Sequence, residues 1–224
     1  MNFPGNFKAL GKVSIFELQK LVLSLTPQHW IGDTQRQKKY EVHNDTQSIG
    51  LVYDDDFRHT NPSVLPPFQM FQEAVMPIIR VVAHYYDTSR VGAKLAPLHG
   101  QGYCIRASLV RLNPGGEITA HQDKNFSLAH SHRVHIPVVS NPNVLFTVGD
   151  ETLHLAEGEI VEINNRRMHS VTNDSPYERV HLILDWVIKG EQCCCADKTH
   201  PGVACSPQNC MDTDRMLTPC HCFD

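Results

Sequence analysis

Little in this sequence marks a membrane, secreted or nucleic-acid-binding protein. Its 224 residues hold no run approaching the roughly 18 apolar residues that span a bilayer. A basic excess is missing too. The 20 Lys and Arg face 24 Asp and Glu, a formal net charge of −4, which offers no electrostatic footprint for nucleic acid. The stretch Met1–Lys8 lacks the charged head and apolar run of a signal peptide, so a cytoplasmic location is expected. Cysteine is nearly absent before residue 193, where Cys104 stands alone. Without a secretory signal, a disulfide framework is not expected. Two glycosylation sequons, at Asn125 and Asn173, are read as chance matches.

What is present describes an ordinary globular chain, 41% hydrophobic and 20% charged, of a length that suggests one domain with an extension. Residues 14–26 read as a helix with Ser14 and Glu17 as a capping box. A second helix is predicted from Pro67 to Tyr86, with Pro77 expected to kink or divide it. Residues 28–64 are polar and irregular, apart from strand-like Ser48–Tyr53. Beyond Gly102 the texture changes to short Val, Ile and Leu-rich runs broken by Gly, Asn, Asp and Pro. Candidate strands are 103–112, 133–139, 144–148, 151–155, 159–163, 170–172 and 179–188, with turns at Gly149-Asp150 and Glu157-Gly158. Short strands at this spacing imply an antiparallel sandwich or small barrel, with N-terminal helices packed outside. Three parts follow: 1–102, helical and irregular; 103–189, the β core; and 190–224, a cysteine-rich extension.

The core carries Thr119-Ala-His-Gln-Asp123, then Met168-His169, then Arg179. Residues at i and i+2 of an extended segment point the same way, so His121 and Asp123 can grip one ion. His169 is the best third ligand. Two histidines and a carboxylate make the facial triad of non-haem iron(II) oxygenases. Such a triad leaves positions open for a bidentate 2-oxo acid and dioxygen. The distal carboxylate of 2-oxoglutarate then needs a cation, and Arg179 begins a strand just after the loop that carries His169. Arg133 and His135, another i, i+2 pair, could add donors. Substrate contacts are expected from Arg106, Arg111, Asn125, Phe126 and Arg167, with His130 and His132 as further candidates.

Across about residues 103–187 the chain resembles the aspartyl/asparaginyl β-hydroxylase family of Fe(II)/2-oxoglutarate-dependent oxygenases. The resemblance rests on Leu112-Asn-Pro-Gly-Gly-Glu-Ile-Thr-Ala-His121, Arg133-Val-His-Ile-Pro137, Gly158-Glu-Ile-Val-Glu-Ile-Asn-Asn165, Met168-His-Ser-Val-Thr-Asn173 and Arg179-Val-His-Leu-Ile-Leu-Asp185. It implies a double-stranded β-helix, the jelly-roll or cupin-like fold. It implies iron held by His121 and His169, and 2-oxoglutarate contacts at Arg133, His135 and Arg179. The implied reaction hydroxylates an unactivated C–H bond of an amino acid or amino-acid residue, using O2 and releasing succinate and carbon dioxide. Animal members of the family carry Gly where this chain has Asp123. Here the full triad of His121, Asp123 and His169 is present, as in bacterial members that act on free amino acids such as proline. A retained carboxylate argues against a halogenase.

Alternatives stay open. The same site could desaturate or cyclise a small molecule, and a cupin-like module could bind without catalysis. The tail, with Cys193, Cys194, Cys195, Cys205, Cys210, Cys220, Cys222, His200 and His221, has enough ligands for a structural zinc, although it lacks two clean Cys-x-x-Cys knuckles. No nucleic-acid or membrane partner is expected, and the sequence leaves the oligomeric state open.

Overall fold

A computed structural model describes residues 3, 5–30, 45–56, 59, 61–123 and 126–191. The cysteine-rich tail, and with it the zinc expectation, lies outside the described residues, as does Asn125. The chain begins with β1 (Phe7–Lys12), α1 (Phe16–Leu23), α2 (Pro27–Trp30), β2 (Thr46–Tyr53) and β3 (Ser63–Val64). Helices α3 (Phe68–Thr88) and α4 (Arg90–His99) follow. Then come β4 (Tyr103–Leu112), β5 (Glu117–His121), α5 (Phe126–Ala129) and β6 (His132–Val139). The last strands are β7 (Val144–Val148), β8 (Glu151–Leu153), β9 (Glu159–Ile163), β10 (His169–Asn173) and β11 (Arg179–Val187).

The strands form two antiparallel sheets. One runs β1-β9-β6-β11-β4-β2-β3, the other β5-β10-β7-β8. From β4 to β11 the chain passes between the sheets in the order of a double-stranded β-helix, so the expected jelly roll is present. The N-terminal part does more than pack helices outside it. β1 extends one edge of the larger sheet and β2 with β3 the other. Phe7 and Lys8 are short of any strand signature on their own; β1 exists because β9 offers it a partner edge.

Alternation explains where the core sits. On β11, Val180, Leu182, Leu184 and Trp186 point to one face and join the main apolar core beneath the helices. Arg179, His181, Ile183 and Asp185 take the other face, between the sheets. Phe71, Val75, Ile78, Val82 and Tyr86 recur at helical spacing and seat α3 on that main core. A second cluster, including Ile118, Phe146, Val148, Val161 and Val171, fills the space between the sheets.

One local expectation is corrected, and of the two outcomes expected at Pro77 a divided helix is not observed. Helix α1 starts after Ile15, and no side chain caps it, so Ser14 and Glu17 do not make the capping box. Helix α3 runs unbroken through Pro77. Pro77 lies on the exposed side, where water can satisfy the carbonyl that loses its partner. A real cap forms one helix later: Ser89 Oγ accepts the Gly92 N–H at 3.0 Å at the start of α4. Gly92 is required there, since a Cβ would sit 2.0 Å from the Tyr86 carbonyl oxygen. The Asn173 sequon is closed by the fold. Its amide is fully buried and donates to the carbonyls of Asn113 and Tyr177 at 2.9 and 2.8 Å.

Candidate metal centre

Strand pairing brings the two histidines together. His121 at the end of β5 is the register partner of His169 at the start of β10. Their ring centroids lie 4.3 Å apart, and Asp123 follows two residues beyond His121. One ligand atom from each of His121, Asp123 and His169 falls within 4.8 Å of the others.

The tautomers are set by backbone carbonyls. His121 Nδ1 lies 2.7 Å from the Thr119 oxygen and His169 Nδ1 2.9 Å from the Arg167 oxygen. A carbonyl can only accept, so each Nδ1 carries the proton and each Nε2 is the unprotonated nitrogen. That is the arrangement a metal-ligating imidazole needs. Burial pushes the His169 pKa down despite the nearby Asp123 carboxylate, which keeps the ring neutral.

Asp123 is held ionised. Burial alone would raise its pKa. The Arg133 cation, with the two histidines whenever they are protonated, and a hydrogen bond from Asn165 outweigh burial and bring it to about 2. Arg133 Nη1 donates to Asp123 Oδ2 at 2.6 Å, and Asn165 Nδ2 donates to the same oxygen at 3.1 Å. The Asp123 N–H is bound to the Asn165 carbonyl at 3.1 Å, so Asn165 grips the residue at both ends. Asn165 also donates to the Leu128 carbonyl at 2.9 Å, tying α5 to the site.

Arg133 itself is clamped. Its Nε and Nη2 donate bidentately to the Asp185 carboxylate, each at 2.9 Å. Asp185 pairs with Arg133 on β6 and with Arg106 on β4, forming a charged row across the sheet. Arg106 lies 3.8 Å from Asp185 and 4.0 Å from the fully buried Asp54. Asp54 accepts the Ser127 hydroxyl on α5 and the His59 N–H.

Arg179 is the opposite case. It is wholly buried, and among the described residues no carboxylate pairs with it. Burial lowers its pKa to about 9. Its Nη2 meets His181 Nδ1 at 2.6 Å, while Nε and Nη1 find no partner. His135, with its Nε2 also unpartnered, lies close by. A small cavity of about 40 Å³ is lined by His121, Arg133, His135, Phe146, His169 and Arg179, with four apolar neighbours. A larger groove of about 490 Å³ lies elsewhere, between α2 and α3. It is apolar, lined by Leu25, Ile49, Pro66 and Phe71 among others, and lacks convergent polar groups.

Six residues from the sequence reading therefore converge: His121, Asp123, Arg133, His135, His169 and Arg179. Arg106 stands on the inward face of β4 beside them. Arg111 does not reach the site: its guanidinium lies 4.7 Å over the Trp30 ring and pairs with Glu178 at 3.1 Å. Arg167 is turned to Asn6, to which its Nη1 donates. The Phe126 side chain lies outside the described residues. His132 is bound between Glu162 and Glu191, away from the triad, and His130 is buried near α5. The sequence reading missed Asn165 and His181. His181 was detectable, standing at i+2 from Arg179 on one strand face. Asn165 was not, because its partner is 42 residues away.

Among known proteins, residues 93–188 match the family described as aspartyl/asparaginyl beta-hydroxylase. No curated protein matches the chain. Several solved structures are similar. One is an oxidoreductase of the 2OG-Fe(II) oxygenase family from Burkholderia pseudomallei, at 11% identity, covering 79% of this chain and 91% of that one, with a TM-score of 0.48. Another is a viral collagen prolyl hydroxylase of Paramecium bursaria Chlorella virus-1 in complex with 2OG, at 7% identity, covering 81% and 96%, with a TM-score of 0.46. AviO1 from Streptomyces viridochromogenes is similar at 12% identity, covering 83% and 90%, with a TM-score of 0.47.

Proposed function

We propose that this chain, whose residues 93–188 match the aspartyl/asparaginyl beta-hydroxylase family, is a 2-oxoglutarate- and Fe(II)-dependent oxygenase that hydroxylates an amino acid or an amino-acid residue. In this reading His121 and His169 hold iron(II) through Nε2 and Asp123 through a carboxylate oxygen. Arg179 receives the distal carboxylate of 2-oxoglutarate, and Arg133 and His135 border the same cavity. When bound, iron(II) would let dioxygen serve as the oxidant: the oxo acid would give two electrons on decarboxylation to succinate and carbon dioxide, the C–H bond the other two, with one oxygen atom entering succinate and one the hydroxylated product.

The observation that carries the reading is Arg179. A buried guanidinium without an anion costs several kcal/mol, about as much as half the stability of a typical domain. A cation with no carboxylate partner among the described residues, in a cavity also lined by His121, His135 and His169, suits a site that receives a dicarboxylate. The protein's other contributions are orientation and dryness. Carbonyls of Thr119 and Arg167 aim the two imidazoles, and Arg133 keeps Asp123 ionised. Phe146 and Val171 line the cavity with apolar surface.

Substrate would enter from the side of Arg106, which stands on the inward face of β4 next to Asp185. No helix among the described residues is long and apolar enough to cross a membrane.

Succinate formation from 2-oxoglutarate, with Fe(II), ascorbate and a panel of free amino acids and peptides, tests the reading. Turnover is expected with the native chain and not with His169→Ala. Absence of both coupled and uncoupled turnover, or normal turnover in His169→Ala, would overturn it.

A further inference from the structure

Arg179 does not aim itself. Its Nη2 donates to His181 Nδ1 at 2.6 Å, the one hydrogen bond made by this side chain among the described residues. An arginine has only donors, so His181 Nδ1 is an acceptor and its proton resides on Nε2. His135 Nδ1 lies 3.3 Å from the same His181 Nδ1. Two lone pairs at that distance would repel, so His135 carries its proton on Nδ1 and shares the acceptor with Arg179. One ring nitrogen thus organises both cavity-lining groups.

Strand geometry explains why only His181 can do this. Arg179 and His181 are i and i+2 on β11, on the face between the sheets. His181 is paired across β6 with Pro137 and across β4 with Val110, neither of which offers a side-chain acceptor. His181 is 1% exposed, so no water is at hand to replace it. The charged and titratable groups acting on His181 are Arg179, His135 and His154, none of them acidic. Those acting on His135 are Arg179, Arg133 and His169. Burial and these neighbours hold both rings neutral, which preserves the acceptor.

We propose that His181 is a positioning residue for the co-substrate: by accepting from Arg179 Nη2 it directs Nε and Nη1 toward the distal carboxylate of a 2-oxo acid. The proposal rests on the reading of Arg179 given above. His181 itself need not touch the ligand.

The test measures binding, not turnover. Mn(II)-loaded protein is titrated calorimetrically with 2-oxoglutarate and with 2-oxovalerate, which has a methyl group in place of the distal carboxylate. His181→Leu removes the acceptor, and His181→Asn returns an oxygen near the Nδ1 position. If the Leu variant does not fold, His181→Gln, which carries its acceptor further out, replaces it. A hydrogen bond to a charged group is worth about tenfold or more in affinity. The Leu or Gln variant should therefore weaken 2-oxoglutarate about tenfold. The Asn variant should stay within about threefold of native, and 2-oxovalerate binding should be unchanged in all. Equal weakening of both oxo acids, an Asn variant as poor as Leu, or a Leu variant as tight as native would each overturn the proposal. Two further controls separate it from the reading beneath it. If native protein shows no preference for 2-oxoglutarate over 2-oxovalerate, or Arg179→Met keeps that preference, both fall. If the preference depends on Arg179 but survives in His181→Leu, the role of His181 alone is refuted.

Discussion

Arg133 and Asp123 share a 2.6 Å hydrogen bond, and that bond determines how the candidate metal centre is charged. Arg133 was expected from sequence to face the co-substrate. It lines the cavity, yet three of its five donors go to carboxylates, one to Asp123 and two to Asp185. Its first effect is on the candidate metal ligand. In Arg133→Met, Asp123 would be buried beside one neutral amide, and its pKa would rise. Loss of an outer partner of this kind lowers metal affinity about 10- to 100-fold. Titration of the variant with Mn(II), alongside thermal melts to verify folding, checks this; unchanged affinity would show that Asp123 needs no cation.

Arg179→Leu should separate stability from function. The guanidinium is fully buried and its pKa is lowered to about 9, so at neutral pH the fold carries a charge it disfavours. A base whose folded pKa is depressed costs stability below that pKa and relieves the cost as pH rises through it. Removing it should raise stability at pH 7 by about 2 kcal/mol. The same variant should lose the rise in melting temperature that 2-oxoglutarate confers on native protein. A destabilised variant that still responds to 2-oxoglutarate would contradict both halves.

Glu162 should set the acid limit of the fold. Burial favours its neutral form, but His132, bonded at 2.6 Å, and Lys8, at 3.5 Å, outweigh burial and lower its pKa. The contribution is present above the unfolded value of about 4.3 and lost as pH falls through the lower folded value. Glu162→Gln should therefore cost about 3 kcal/mol at pH 7. The gap between variant and native should narrow as the pH drops below about 4. Urea unfolding at the two pH values checks the sign; a gap that widens in acid would refute it.

Asn165 offers the neutral counterpart of Arg133. Its amide donates to Asp123 Oδ2 at 3.1 Å and to the Leu128 carbonyl at 2.9 Å. Asn165→Ala should weaken Mn(II) binding about fivefold, the worth of one ordinary hydrogen bond. Asn165→Asp should weaken it further, because a second carboxylate beside Asp123 raises the pKa of both. If the Asp variant binds metal more tightly than the Ala variant, the amide's donor role is wrong.

Much of the core was readable in advance because alternation states which face a residue takes. Seven strands between 103 and 188 were expected and are present, with shifts of a residue or two at their ends, while β5 (Glu117–His121), which carries the first histidine, was not among them. The i, i+2 pair Arg133–His135 shares a face of β6 for that reason, whereas Asp123 lies beyond the end of β5 and is set beside His121 by its bonds to Asn165 and Arg133. β1 was invisible, since Phe7–Lys12 alternates too weakly to mark a strand without β9 beside it. Helix α4 was missed because Pro97 and two glycine positions, 92 and 100, obscure its period. Arg111 was read with Arg106 as a substrate contact. The two are five residues apart on one strand, and opposite parity sends them to opposite faces.

The sequence by itself determined the chemistry available: two histidines, a carboxylate and an arginine at spacings that strands can gather. It also determined which faces those residues occupy, because the pleat repeats every two residues whatever the neighbours. Only the tertiary structure decided which charges meet. Arg133 is 52 residues from Asp185, and Asn165 is 42 from Asp123. Periodicity within a strand carries no information about a partner across the sheet. That pairing gives the ionised Asp123 a cation and leaves Arg179 without an anion among the described residues, and so distinguishes the group that would hold the metal from the group that would take a ligand.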